Sequence, residues 1–415
     1  MHSALGVEYN SRLFGYSQHV QTWVENHLAF FHPLDWNEPS ERALRRKAFA
    51  ELALYVYIVK QMGLPISPKV SDFVVSIAIT EDYLNLLFRS EDVLQYGIPL
   101  AVAKEANSLD EKVERRLVSL LEEPRIWCQQ RVQYRLLDLL YLSKIVGLKQ
   151  TPVSFSDLLP LTYSQQIPTP IWTRLTEAYA FTHQVFYFSS FGMDYEMASP
   201  FVHACGQDPG ALPCLISRFI AEDNYDISLE LVFTGIVLNS IPNPYLALTL
   251  DWAVQALNTH GIVPSPKSDF YLKPFAGNES AELWASSYHT MLVFGATCSL
   301  ASLSLLEEKM QYSHSEAAEF FAVGSFLACL ANHDFHNAAS CLESTLLQSN
   351  NKIVRDCASY TQKFLETQVS ASGEVGLFCD ESRLHFLQYG TSLTRINLEK
   401  SFNLLSEWAS RSCHS

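Results

Sequence analysis

The chain has 415 residues, of which 48% are hydrophobic and 18% are charged, so it can bury a large core and is not a disordered polymer. Its 44 acidic and 29 basic residues give a formal net charge of −15, which repels a nucleic-acid backbone and argues against nucleic acid as a partner. The nine cysteines form no CxxC pair and favour a reduced, cytoplasmic location.

Helical periodicity dominates the chain. In a series of segments, apolar residues recur three and four positions apart, as they do on one face of an amphipathic helix. The segments are residues 44–62, 117–140, 176–192, 214–240, 246–258, 281–306, 315–330 and 353–368. No comparable set of alternating β-branched segments is present, so strands should be few. The sequence therefore predicts an all-α fold.

Three junctions between these helices resemble one another: "KQMGLPISPKVSDFV" (60–74), "KIVGLKQTPVSFSDLL" (144–159) and "NTHGIVPSPKSDFY" (258–271). In each, glycine ends a helix, proline sets a turn, and Ser or Asp is placed to cap the next helix. About six antiparallel hairpins of about 50–60 residues would use most of the chain. We therefore predict stacked hairpins closed into an (α/α) toroid rather than an open solenoid.

We expect one large helical domain over residues 1–415, with an N-terminal helical subdomain at 1–150 and a site-bearing part at 151–415 as a finer division. Residues 151–172 and 199–213 are predicted to be loops, because proline and glycine are frequent there. The most apolar run, residues 291–306, is interrupted by serines and a threonine and is shorter than the roughly 20 residues of a spanning helix. We expect a buried helix there and no membrane span.

The first candidate for a functional segment is "TEAYAFTHQVFYFSSFG" (176–192). Helical spacing places Tyr179, His183, Phe186, Tyr187 and Ser190 on one face. Aromatic residues around a histidine can stack on a planar or cationic ligand and present one titratable nitrogen to it. The alternative is a core helix in which the histidine bonds a backbone carbonyl or a carboxylate.

Two further helices carry polar groups in apolar surroundings. In "AEDNYDISLELVFTGIVL" (221–238), Asp226 and Glu230 share a face, and Glu230 lies between leucines, where a buried carboxylate needs a partner or a raised pKa. In "ELWASSYHTMLVFGATC" (282–298), Tyr288 and His289 precede an apolar run. An acidic first turn and a structural histidine are the alternatives. In a toroid, inner helices would bring these groups together in a central cavity.

Convergence would support two kinds of chemistry. His183 and His289 with Asp226 or Glu230 could bind a divalent metal, zinc or iron, through two imidazoles and one carboxylate. Alternatively, a carboxylate and a histidine could act as acid and base in a cyclisation, elimination or isomerisation. We rank acid/base chemistry above metal binding and predict no resident cofactor, because no metalloprotease, nucleophile-elbow, phosphate-loop, dinucleotide or terpene-cyclase motif occurs.

The three segments together resemble an uncharacterised, all-helical bacterial family from natural-product gene neighbourhoods. Its pattern has a Thr-His-x-x-Phe-Tyr segment ending in Thr-Asp-Phe-Gly, an Asp-x-x-x-Glu-Leu segment and a Tyr-His-Thr segment. The corresponding residues here are Thr182, His183, Phe186 and Tyr187; Asp226, Glu230 and Leu231; and Tyr288, His289 and Thr290. Ser190 replaces the family's aspartate, for which Asp194 is a candidate substitute. The resemblance covers roughly residues 170–300 and implies no particular reaction.

The sequence thus predicts an enzyme of specialised metabolism that acts on a small molecule or a modified peptide. His183 would be the base or a ligand, Asp226 and Glu230 acid or electrostatic partners, and His289 a second polar contact. The predicted substrate-binding residues are Tyr179, Phe186, Tyr187, Ser190 and Tyr288. The alternative is a non-catalytic helical scaffold that binds a peptide or protein partner. An enzyme requires His183, His289 and Glu230 within about 8 Å of one another around a cavity, whereas a scaffold disperses them.

Overall fold

The computed structural model describes residues 2–34, 39–89, 93–170, 173–241, 243–266, 275, 277–303, 314–331 and 341. Regular structure in these ranges consists of α-helices and short 3-10 turns, and no strand occurs within them. The all-α prediction is confirmed. The helix predicted at 353–368 lies outside the described residues.

The first part of the chain contains helices that range from four to 26 residues in length. They are α1 (His2–His27), α2 (Pro39–Gln61), α3 (Pro68–Ala78), α4 (Glu81–Arg89), α5 (Val93–Glu105), α6 (Glu111–Leu121), α7 (Pro124–Trp127), α8 (Gln133–Val146) and α9 (Phe155–Leu158). The periodic run at 117–140 is divided among three of them, α6, α7 and α8, because Pro124 starts the short α7 instead of continuing α6.

The second part is also helical. Its helices are α10 (Leu175–Phe188), α11 (Tyr195–Gln207), α12 (Ala211–Ala221), α13 (Tyr225–Val237), α14 (Asn243–His260), α15 (Glu279–Ala285), α16 (Tyr288–Leu303) and α17 (His314–Ala331). Most of the apolar run at 291–306 lies in α16, whose side chains are largely buried, as predicted. Across the ranges described, no helix has the length and apolarity needed to cross a membrane.

The two loop predictions have different outcomes. Residues 151–170 hold only the short α9 and a 3-10 turn at Leu159–Leu161 and otherwise connect helices, as expected. The loop predicted at 199–213 is wrong, because α11 runs through Pro200 to Gln207 and α12 begins at Ala211. Pro200 lies in the first half of α11, where it removes one backbone hydrogen bond without ending the helix.

Glycine ends the helices at the three similar junctions, as predicted. Gly147 caps α8 with a φ of 85°, and Gly63 and Gly261, just after α2 and α14, have φ values of 70° and 72°. These left-handed conformations cost glycine little, because it has no Cβ. Ser67 and Ser154 cap the next helices at the first two junctions. The cap of the third junction lies outside the described residues.

Six helices contact one another in a cyclic order. α2 contacts α5, α5 contacts α8, α8 contacts α10, α10 contacts α13, α13 contacts α16, and α16 contacts α2. Residues of all six line a cavity of about 1410 Å³. Other helices pack outside this cycle, with α1 against α16, α3 against α5 and α12 against α13. The toroid and the single-domain extent stay predictions, which this cyclic order of contacts favours.

Candidate functional site

Two carboxylates and one imidazole meet at one wall of the cavity, which we call the floor and define as Asp226, Glu230 and His289. Asp226 and Glu230 lie one turn apart on α13, and His289 lies in the first turn of α16. The Nε2 atom of His289 is 3.5 Å from Oδ1 of Asp226 and 3.5 Å from Oε1 of Glu230. Both acidic residues are nearly buried, with exposed fractions of 5% and 2%.

A third carboxylate holds the other side of the His289 ring. Oε2 of Glu51, on α2, lies 3.3 Å from Nδ1 of His289. Burial favours the neutral acid of Glu51, but the charges of Lys47 and His289 lower its pKa to about 2. Burial lowers the pKa of His289, whereas the charges of Asp226 and Glu51 outweigh it and raise that pKa well above its ordinary value. The ring therefore sits in a strongly negative potential.

Hydroxyl groups hold the carboxylates of the floor from behind. Tyr179 donates its hydroxyl proton to Oδ2 of Asp226 at 2.5 Å, and Thr290 donates to Oδ1 at 3.0 Å. Thr182 donates to Oε2 of Glu230 at 2.6 Å. Burial raises the pKa of Glu230, but the charge of His183 and hydrogen bonds from its neighbours bring the pKa below its ordinary value. The sequence left open whether the buried carboxylate of Glu230 has a partner or a raised pKa. It has partners, and its pKa is lowered.

The imidazole of His183, on α10, stands next to the floor. Its Nδ1 atom lies 2.7 Å from the backbone oxygen of Tyr179 and 3.7 Å from Oε2 of Glu230. A carbonyl oxygen can only accept, so Nδ1 carries a proton, and in the neutral ring Nε2 is an acceptor. The carbonyl bond expected of a core histidine is therefore present. The ring nevertheless lines the cavity and is only half-buried.

Aromatic side chains form the wall around His183. The ring centroid of Tyr134, on α8, lies 5.2 Å from that of His183, and Phe186 and Tyr187 follow at 5.9 and 6.0 Å. All four predicted aromatic contacts line the cavity; they are Tyr179, Phe186, Tyr187 and Tyr288. Their role in substrate binding stays a prediction.

Ser190 is placed differently from the sequence prediction. α10 ends at Phe188, and Ser190 has a φ of 49°, so the helical spacing that put it on the aromatic face does not reach it. Its hydroxyl accepts a hydrogen bond from Lys144 at 3.1 Å, and Asp194 contacts the same ammonium group at 3.1 Å. Ser190 and Asp194 are not among the residues that line the cavity, and the substrate contact of Ser190 stays a prediction.

Sequence reasoning missed the residues that the first part of the chain contributes. Glu51 and Asp138 line the cavity from α2 and α8, and Arg135 donates to Oδ2 of Asp138 at 2.9 Å. A signal for both acids was present, because Glu51 stands in "AFAELALYVY" and Asp138 in "RLLDLLYL". Each is a carboxylate within an apolar helical run, as Glu230 is. The cavity therefore draws on both of the parts into which the chain was divided.

The floor offers a ligand set that differs from the predicted one. Asp226, Glu230 and His289 each provide one ligand atom, and these atoms all lie within 4.8 Å of one another. The set contains one imidazole and two carboxylates, whereas the sequence suggested two imidazoles and one carboxylate. His183 is left outside it. The nitrogen of His183 and the floor are thus separate groups that face one cavity.

Comparison with known protein families matches residues 17–299 to a domain of unknown function, DUF6895. The matched range includes α10, α13 and most of α16, and with them every residue of the floor and of the aromatic wall. Neither a curated protein nor a solved structure matches the chain.

Proposed function

The chain belongs to the DUF6895 family, whose function is unknown, and from the geometry of its cavity we propose that it is an enzyme. It acts on a small molecule or a modified peptide by acid/base chemistry, of the kind used in cyclisation, elimination or isomerisation. We place the reaction in the cytoplasm and in specialised metabolism, as the cysteine pattern and the resemblance of the three segments suggest.

The convergence of His183, Glu230 and His289 carries this proposal. Nδ1 of His183 lies 3.7 Å from Oε2 of Glu230, and Nε2 of His289 lies 3.5 Å from Oε1 of the same carboxylate. A scaffold gains nothing from three titratable groups in one cavity, because burying charges costs free energy. Enzymes repeatedly place such groups together in a cleft, where a substrate can reach them.

His183 is the base in this proposal. The backbone oxygen of Tyr179 fixes the proton on Nδ1, so Nε2 is free to take a proton from the substrate. The ring then becomes an imidazolium, and the carboxylate of Glu230 stabilises its new charge from the Nδ1 side. The same proton is returned to another atom of the substrate, or to water, when the product forms.

The cavity indicates the size of the substrate. Its volume of about 1410 Å³ exceeds the roughly 300–1,000 Å³ typical of pockets for single small ligands. A short peptide or an extended natural product would fill it better than a central metabolite would. The rings of Tyr134, Tyr179 and Tyr187 supply stacking surfaces on the side of His183.

The test compares the purified wild-type chain with the variant His183→Asn. Asparagine can keep the donor to the backbone oxygen of Tyr179, but it lacks Nε2. Each protein is incubated with small-molecule and peptide extracts of cells that encode the chain, and products are followed by mass spectrometry. We expect a product that forms with the wild type and forms about 100-fold more slowly with the variant, the lower end of what a general base contributes.

The matched control is His203→Asn, which changes an exposed histidine on α11 that bonds Gln207. It should leave the rate unchanged. A His183→Asn variant that folds and turns over at the wild-type rate would contradict the proposed base. If no extract yields a product with the wild type, the scaffold alternative is favoured over an enzyme.

A further inference from the structure

We infer that the floor binds one divalent transition-metal ion through Asp226, Glu230 and His289. This inference deepens the proposed function by naming a cofactor of the same cavity, and it rests on that function only for the ion's catalytic use. The binding site itself is argued from geometry, from the groups behind the ligands and from charge.

The spacing of the ligand atoms fits a metal ion. Zinc binds histidine nitrogen and carboxylate oxygen at about 2.0–2.2 Å, so neighbouring ligand atoms in a tetrahedral site lie about 3.3–3.5 Å apart. Nε2 of His289 is 3.5 Å from Oδ1 of Asp226 and 3.5 Å from Oε1 of Glu230. A direct N–H···O bond is shorter, with a typical length of about 2.9 Å. Both distances match those between ligands of a shared ion and are longer than a good direct bond.

Each ligand is held from behind by another side chain. Glu51 faces Nδ1 of His289 at 3.3 Å, which orients the ring so that Nε2 points at the two carboxylates. Thr182 donates to the Oε2 atom of Glu230 and leaves Oε1 directed at His289. Carboxylate–histidine pairs and hydrogen-bonded carboxylates of this kind are typical surroundings of protein metal sites.

The charges of the cluster favour a cation. Asp226, Glu230 and Glu51 surround one imidazole, and Lys47, at 3.6 Å from Glu51, is the ammonium group that faces this cluster among the described residues. Two of the acids are nearly buried, where uncompensated charge is costly. A divalent ion bound at Nε2 takes the place of a proton on that atom and adds one positive charge beside these acids.

The donor set selects the kind of ion. One imidazole nitrogen and two carboxylate oxygens suit zinc, iron or manganese, whereas magnesium and calcium prefer oxygen ligands alone. Three protein ligands leave at least one position of the ion open, as in catalytic rather than structural sites. Because the floor lines the cavity, that position faces the space in which we place the substrate.

The experiment measures binding of Zn²⁺, and of Fe²⁺ without oxygen, to the full chain after removal of metals with a chelator. Calorimetry gives affinity, and elemental analysis after dialysis gives stoichiometry. We expect one ion per chain for the wild type, and a loss of at least about 100-fold in affinity for Asp226→Asn, Glu230→Gln and His289→Asn. The variant Glu51→Gln should keep the stoichiometry and weaken binding about 10- to 100-fold.

Glu196→Gln and His203→Asn are the matched controls, because both residues are exposed on α11. They should bind metal as the wild type does. Equal binding by the wild type and the three ligand variants would place the ion elsewhere and overturn the inference, as would the absence of binding by the wild type. Should a ligand variant not fold, Glu51→Gln decides, since unchanged affinity there also contradicts the site.

The variant His183→Asn separates this inference from the proposed function. His183 lies outside the ligand set, so the variant should bind metal with wild-type affinity and stoichiometry while turnover falls. Metal binding without any turnover would contradict the proposed enzyme and support the metal site. Turnover without metal binding would contradict the metal site and support acid/base catalysis by His183.

Discussion

The molecule buries charges both at the floor and around Arg45. The two groups differ in how fully hydrogen bonds satisfy their charges. Arg45, on α2, is 1% exposed, and its guanidinium donates to Oε1 of Glu41 through Nε at 3.0 Å and Nη2 at 2.7 Å. Nη1 donates to the backbone oxygen of Phe30 at 2.6 Å. The rings of Phe30, Phe275 and Trp284 lie 5.3–5.4 Å from the guanidinium carbon.

The floor lacks such a complete set of hydrogen-bond partners and covering rings. Nε2 of His289 faces two carboxylate oxygens at 3.5 Å, beyond the length of a good hydrogen bond, and the whole group borders the cavity. Arg45, in contrast, does not line the cavity. Its donors meet acceptors at hydrogen-bond distances, and aromatic faces cover it. A buried charge is therefore a candidate for function when its hydrogen-bond geometry is incomplete and a cavity reaches it.

The largest expected effect concerns the completed group. Arg45→Ala should lower the free energy of unfolding by about 3–5 kcal/mol, because Glu41 and the Phe30 carbonyl would lose a buried partner. Urea unfolding followed by circular dichroism measures this loss. The control is Arg12→Ala, which breaks an exposed ion pair with Asp251 and should cost less than about 1 kcal/mol. Equal losses of unfolding free energy in the two variants would show that the buried partners of Arg45 stabilise the fold no more than an exposed ion pair does.

A smaller effect is expected where the floor is attached to α10. Thr182→Val keeps the shape of a fully buried side chain but removes the hydroxyl that donates to Glu230. Since hydrogen bonds to charged groups contribute about 1.5–3 kcal/mol, we expect a loss in that range by the same unfolding measurement. Thr22→Val is the control, because its exposed hydroxyl bonds only its own helix at Gln18. A loss below that of the control would mean that Thr182 does not hold the carboxylate.

Part of this contrast could be predicted from the sequence. Apolar spacing of three and four predicts the helices, glycine predicts their ends, and a carboxylate between leucines singles out Glu230. His183 is found because helical spacing places it among aromatic residues. These features are local, so a single segment contains the whole signal.

The rest depends on contacts between distant segments. Glu51 and His289 are 238 positions apart, and no local pattern states that α2 packs against α16. Ser190 was misplaced because helical spacing was continued past Phe188, where the backbone turns left-handed. The candidate ligand set of the floor differs from the predicted one for a related reason. Both histidines lie near Glu230, but only the interatomic distances separate His289, inside the set, from His183, outside it.

The smallest expected effect tests the comparison directly, by the same substitution in both groups. Glu230→Gln removes one of three negative charges around His289, and the amide oxygen can still accept from Thr182. Relief of like-charge repulsion with Asp226 offsets most of the lost attraction to His183 and His289, so metal-free stability should fall by less than about 1 kcal/mol. Glu41→Gln leaves Arg45 buried against a neutral amide and should cost more than about 2 kcal/mol.

Urea unfolding of the two glutamine variants, with metals removed, decides between the two accounts. If Glu230→Gln loses as much stability as Glu41→Gln, the floor is a completed ionic group like that of Arg45, and its place beside the cavity is no guide to function. If Glu230→Gln stays near the wild type, its carboxylate is not needed for folding. A nearly buried charge that the fold can do without is then maintained for what it binds.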